Sequence, residues 1–142
     1  MGAVVPSRGD RRGDRVLWTG AVLVYLMGLV YVGAGISHFT SPGFFRQIVP
    51  PMFPSPAALV AISGVAEIGL GVLVMLPAAR RMAAWGIIAL LVAVFPANVY
   101  MAITNLQLVD PPAWMGQPSQ LGLWLRLPVQ FLLMYWAWRY TR

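Results

Sequence analysis

Residues 16–39 run for 24 positions without a formal charge, His38 excepted when protonated, and residues 82–103 do so for 22. A helix needs roughly 20 mostly apolar residues to cross the hydrocarbon of a bilayer, so each stretch has the length of a span. Residues 57–76 form a third, interrupted once by Glu67. Apolar residues make up 59% of the chain and charged residues 10%, with a mean hydropathy of +0.72. Soluble domains carry roughly 25% charged residues, so this composition excludes a water-soluble globular fold, and its hydrophobicity excludes disorder. At 142 residues the chain is one domain.

Residues 1–15 hold alternating Arg and Asp with Gly and Pro, the composition of a short disordered cytoplasmic tail. The membrane domain then covers residues 16–142. The first span is too long for the apolar core of a secretory signal and is expected to be retained. Residues 40–56 contain five of the twelve Pro and cannot form one continuous helix. Within them FFRQIV has room for one interfacial turn, with Phe44 and Phe45 dipping into the lipid boundary and Arg46 at the head groups. Ser55 reads as an N-cap with Pro56 at the first helical position, and Pro77 stops the second span. Arg80 and Arg81 make a cationic turn, and residues 104–118 make a polar, Pro-rich loop. A fourth span over residues 119–140 carries Arg126, Pro128 and Gln130 and ends in Trp136, Trp138 and Tyr140, an aromatic belt.

The fold class expected is an all-α integral membrane protein built as an antiparallel four-helix transmembrane bundle. Eight of the ten Arg lie in the amino tail, at the turn near Arg80 and at the carboxyl end, whereas the opposite loops hold only Arg46. By the positive-inside rule both termini are cytoplasmic.

With no Cys and a single His, the chain has no thiolate nucleophile, iron–sulfur cluster or multi-His metal site of its own. No metal ligand set is assigned. Ionisable groups within spans call for a partner or a task, which singles out Glu67 and Arg126. Counted down by helix rise, His38 lies about 5 Å, Asn98 about 8 Å, Arg126 about 10 Å and Glu67 about 18 Å below the outer surface, so all four can line one outward cavity. Ala61, Gly64, Glu67 and Gly71 share one helix stripe, a close-packing face that turns Glu67 inward. Ser119, Gly122, Arg126 and Gln130 share another. Pro96 frees a carbonyl one turn earlier, beside Asn98. Glu67 with Arg126 reads equally as a register-fixing ion pair or as a ligand or proton site, Asn98 as an interhelical hydrogen bond, and His38 as an interfacial or proton-accepting residue. The run from Gly28 to Gly35 lacks the order of a nucleotide loop and reads as helix packing. The candidate ligand-binding residues are therefore His38, Glu67, Asn98, Arg126 and Gln130.

The runs GAGISHFTSPGFFRQIVPPMFPSP and SGVAEIGLGVLVMLPAARRMAAWGIIALLVAVFPANVYMA, within a similarity over about residues 20–137, resemble the DoxX-like family of small four-span bacterial membrane proteins, in its uncharacterised branch. The family's polar positions correspond to His38, Pro50, Glu67 and Asn98, with Pro96 and Arg126 a looser match. The resemblance implies a bundle in the bacterial cytoplasmic membrane and, for some relatives, association with a thiosulfate:quinone oxidoreductase or other redox complexes. It implies no reaction for this branch.

On that reading the chain is a quinone- or lipophile-binding subunit of a membrane redox complex. Arg126, Asn98 and His38 supply donors and Glu67 carries a proton, while the chain holds no cofactor of its own beyond a bound quinone. The alternative is a non-catalytic scaffold or assembly factor whose polar pocket holds the helices together. A small transporter is disfavoured, because one buried acid and one buried base leave little room for a hydrated path. Expected partners are the lipid bilayer, a redox-complex protein and a second copy of the chain. No nucleic acid is expected, since the Arg residues cluster at span ends.

Overall fold

The computed structural model describes residues 8–142 apart from 112, 114 and 115, with side-chain surroundings from residue 20 onward. The described residues contain helices and no strand: α1 (Arg8–Thr40), α2 (Pro42–Gln47), α3 (Pro56–Met75), α4 (Arg80–Thr104) and α5 (Gln120–Trp138). Helix α1 begins ahead of the span start expected at residue 16, and residues 1–7 of the expected tail lie outside the described residues.

Three segments are long and apolar enough to cross a membrane, Gly20–Thr40, Pro56–Met75 and Arg80–Thr104, which marks a membrane protein. Helix α5 has the length but not the apolarity. Gln120, Arg126, Pro128 and Gln130 fall within its 19 residues and keep it out of the set of segments apolar enough to cross.

Local chemistry sets the helix ends. Pro42 and Pro56 open α2 and α3, where a missing N–H costs no helical bond. Ser55 caps α3 through its backbone only, in a left-handed conformation with φ 50°, while Ser119 caps α5 through its side chain, whose oxygen accepts from the Gly122 N–H at 3.1 Å. Pro77 forces Leu76 into an extended conformation and ends α3. Arg80 turns back over that end, its Nε donating to the Val74 carbonyl at 3.2 Å. Asn105 closes α4 in the left-handed region, with the Leu106 N–H donating to the Met101 carbonyl at 3.3 Å.

Helix α1 packs on α3, α3 on α4, and α4 on α5. The first contact is the tightest. Gly28 faces Gly71 and Gly35 faces Gly64, an antiparallel register repeated after seven residues, so that a methyl on Gly35 would stand 2.6 Å from the Gly64 carbonyl and one on Gly71 2.7 Å from the Gly28 carbonyl. Without side chains at these four positions the backbones approach directly, as close-packed membrane helices require. Val24, Met27 and Tyr31 of α1, Val74 of α3, Ile87 and Leu91 of α4 and Ala137 of α5 join in one core. The Tyr140 hydroxyl donates to the Gly20 carbonyl at 3.5 Å and ties the end of the chain to α1.

Candidate functional site

A cavity of about 400 Å³ opens between the first half of α3 and the second half of α4. Alanines at 66, 93 and 97 stop short of filling the gap, and Pro96 removes an N–H from its wall. The α1–α3 connector forms the roof through Phe45, Ile48, Pro50 and Phe53. The polar lining consists of His38 from α1, Ser63 and Glu67 from α3, Asn98 from α4 and Arg126 from α5. Ile62, 65% exposed, Ala93 and Pro96 lie both on the lining and on the outer surface, so the cavity has a lateral mouth between α3 and α4.

His38 is the best-held of these groups. It is 8% exposed, and its Nδ1 lies 3.0 Å from the Val60 carbonyl oxygen and 2.9 Å from Ser63 Oγ. The Ser63 hydroxyl donates to that same carbonyl at 3.0 Å. On the other side of the ring, Nε2 stands 3.5 Å from Glu67 Oε2. This is an ion-pair distance rather than a hydrogen bond, and the buried Oε2 has no hydrogen-bond partner among the described residues. Phe45 packs over the imidazole with ring centroids 3.9 Å apart.

In the glycine register residue 38 stands level with residue 61, about 9 Å of helix rise from Glu67, yet the two side chains meet. In a helix each Cα–Cβ bond leans toward the amino end. Because α1 and α3 run in opposite directions, His38 and Glu67 lean toward each other along the contact, and the two side chains close the axial offset. The neighbour that Glu67 meets is thus His38, and Arg126 joins the same cavity from α5.

Asn98 and Gln130 are tied to each other. Asn98 Nδ2 donates to Gln130 Oε1 at 2.9 Å, and Gln130 Nε2 donates to the Leu91 carbonyl, in the turn that Pro96 loosens. Gln130 is 2% exposed and lies outside the cavity lining, so its place is in the α4–α5 seam. Replacing Gln130 with Leu leaves Asn98 Nδ2 and the Leu91 carbonyl short of partners, an expected cost of about 1 kcal/mol. A double-mutant cycle with Asn98→Leu in detergent unfolding checks this. Independent, additive losses would show that the pair does not act as a unit.

The connector also departs from expectation. Its one-turn helix α2 forms, but Phe44 is 4% exposed and Phe45 lies on His38, so both rings turn into the protein rather than into lipid. Their edge-to-face contact, with centroids 4.7 Å apart, and the imidazole give them an apolar seat inside. Two glutamines pin the α4–α5 loop beneath them. Gln47 Oε1 accepts from the Val109 N–H at 2.8 Å and its Nε2 donates to the Val109 carbonyl at 3.0 Å, while Gln117 grips Leu108 in the same two-sided way.

Sequence reasoning missed Ser63 and Phe45. Ser63 had a signal, since it sits one turn before Glu67 and therefore on the same face. Phe45 had none, because an aromatic in a Pro-rich connector reads equally as lipid-facing. Among the described residues, no group of three or more His, Cys, Asp or Glu is placed to hold a metal ion.

A family model described as a domain of unknown function, DUF8561, matches residues 27–141, a stretch that contains every polar residue of the cavity. No curated protein and no solved structure matches the chain. With that match covering most of its length, the chain belongs to the DUF8561 family.

Proposed function

We propose that the chain is a four-span antiparallel bundle of the bacterial cytoplasmic membrane, with both termini cytoplasmic, that binds a quinone or similar lipophile as a subunit of a membrane redox complex. The observation that carries this reading is the cavity itself, apolar over most of its wall, polar at His38, Glu67, Asn98 and Arg126, and open sideways toward lipid. Its size falls within the 300–1,000 Å³ range of pockets that take small molecules. A lipophile enters such a site from the bilayer without crossing water, and its tail remains in the mouth beside Ile62.

Helix α5 serves as the fourth span. Its 19 residues reach about 28 Å, close to the hydrocarbon thickness. Leu121, Leu125, Phe131 and Leu132 face outward, while Arg126 and Gln130 are turned toward the protein. The arginine bias and the DoxX-like resemblance support the orientation and the redox association. The satisfied Asn98–Gln130 pair favours a packing role for that layer, which is the part of the scaffold reading that has an observation behind it.

The test is a titration of the detergent-purified chain with a decyl-substituted benzoquinone, read by tryptophan fluorescence. Saturable quenching absent from empty micelles is the expected result. Quenching no greater than that of a free tryptophan derivative in the same micelles would remove the lipophile reading and leave the scaffold.

A further inference from the structure

The main-chain oxygen of Val60 can only accept a hydrogen bond, and His38 Nδ1 lies 3.0 Å from it. Nδ1 therefore carries a proton, shared with Ser63 Oγ, while the Ser63 hydroxyl gives its own proton to Val60. This assignment rules out the use that a Ser, His and Glu in line first bring to mind. A proton-bearing Nδ1 has no lone pair with which to deprotonate Ser63, so the alignment is not a nucleophile with its base.

The lone pair of the ring lies instead on Nε2, facing Glu67 Oε2 at 3.5 Å. Two bare lone pairs at that distance in apolar surroundings repel, and one proton on either atom turns the repulsion into attraction. Oε2 is buried and has no hydrogen-bond partner among the described residues, and both side chains line the cavity. We infer that His38 and Glu67 hold one exchangeable proton between them and offer it as a hydrogen bond to an acceptor oxygen of a neutral, carbonyl-bearing lipophile in the cavity. The ligand half of this inference rests on the function proposed above, whereas the proton-holding half does not.

The other groups around the pair shape its titration. Tyr31 of α1 is near enough to feel the charge of Glu67, and Arg126 of α5, permanently cationic, lines the same cavity. Helix α2 contributes Phe45, and α4 contributes Asn98, neither of which titrates. The protonated pair is a donor to a carbonyl oxygen. Once the proton is lost, Nε2 and the carboxylate present only lone pairs, so affinity for a carbonyl ligand falls as pH rises.

The chain contains a single His, so nitrogen-15 NMR of histidine-labelled protein reads His38 alone. Expected is a neutral ring protonated at Nδ1, with Nε2 titrating and the midpoint displaced in Glu67→Gln. Ser63→Ala should keep the tautomer, because Val60 still accepts. A neutral ring protonated at Nε2, or a midpoint indifferent to Glu67→Gln, would overturn the proton-holding pair.

The second arm repeats the decyl-benzoquinone titration across about pH 5.5 to 9, a range that brackets histidine titration. Wild-type affinity should fall at least tenfold, and the His38→Gln/Glu67→Gln double variant should vary less than twofold. A flat wild-type profile, or a slope that survives in the double variant, overturns the donation to ligand. No binding at any pH, with the expected NMR behaviour, overturns the ligand class and leaves the proton-holding pair intact.

Discussion

Gly35→Ala and Gly71→Ala are each expected to lower the stability of the chain in detergent by about 2–3 kcal/mol, the upper range for overpacking. The new methyl at 35 would meet the Gly64 carbonyl at 2.6 Å and the Ile68 nitrogen at 2.9 Å, and the one at 71 would meet the Gly28 carbonyl at 2.7 Å and the Val32 nitrogen at 2.9 Å. These are backbone atoms, which cannot change rotamer, so α1 and α3 must move apart. One displacement relieves both clashes, so the double variant should cost less than the sum of the singles. Gly33 and Gly69, on the same helices, have nothing within 4 Å of where a methyl would stand, and Gly→Ala there should be neutral or gain about 0.5–1 kcal/mol of helix preference. Denaturant unfolding followed by circular dichroism separates the two sets. Equal effects at all four positions would mean that helix propensity, not backbone approach, sets the response. Separating α1 from α3 also draws His38 away from Glu67, so Gly35→Ala should move the His38 titration as well.

Ala97→Trp is expected to weaken decyl-benzoquinone binding by at least thirtyfold, about 2 kcal/mol, with little loss of stability. Ala97 lies on the cavity wall, and an indole there occupies space that no side chain fills. Insertion into a packed core would strain its neighbours, whereas insertion into an existing opening need not. Val92→Trp is the control, because Val92 is 58% exposed and stands on the outer surface of the same helix. Titration of both variants, beside their unfolding midpoints, decides the matter. If Ala97→Trp binds as tightly as wild type, the quinone site lies elsewhere.

Much of this arrangement is legible along the chain, for reasons that are local. Pro56, Pro77 and Ser119 set helix ends through their own backbone and side-chain chemistry, so reading them requires no knowledge of neighbours. Gly64 and Gly71 mark a packing face by periodicity alone, and Glu67 near that stripe had to turn inward because lipid penalises a charge. Asn98 read as an interhelical hydrogen bond, and it makes one to Gln130.

What sequence could not determine depends on how helices lie against one another. Rise along one helix gives depth, but His38 and Glu67 meet because antiparallel helices tilt their side chains toward each other across the glycine contact. Gln130 shares a stripe with Arg126, yet only the packing of α4 on α5 decides that it serves Asn98 and Leu91 instead of the cavity. Phe45 could rest in lipid or on an imidazole with similar loss of apolar area, and the fold of the connector chose the imidazole. The sequence by itself therefore determined the apolar spans, the helix ends set by local chemistry and the inward acid. The tertiary structure alone decided which groups stand beside that acid, because their meeting depends on the distance and direction between helices.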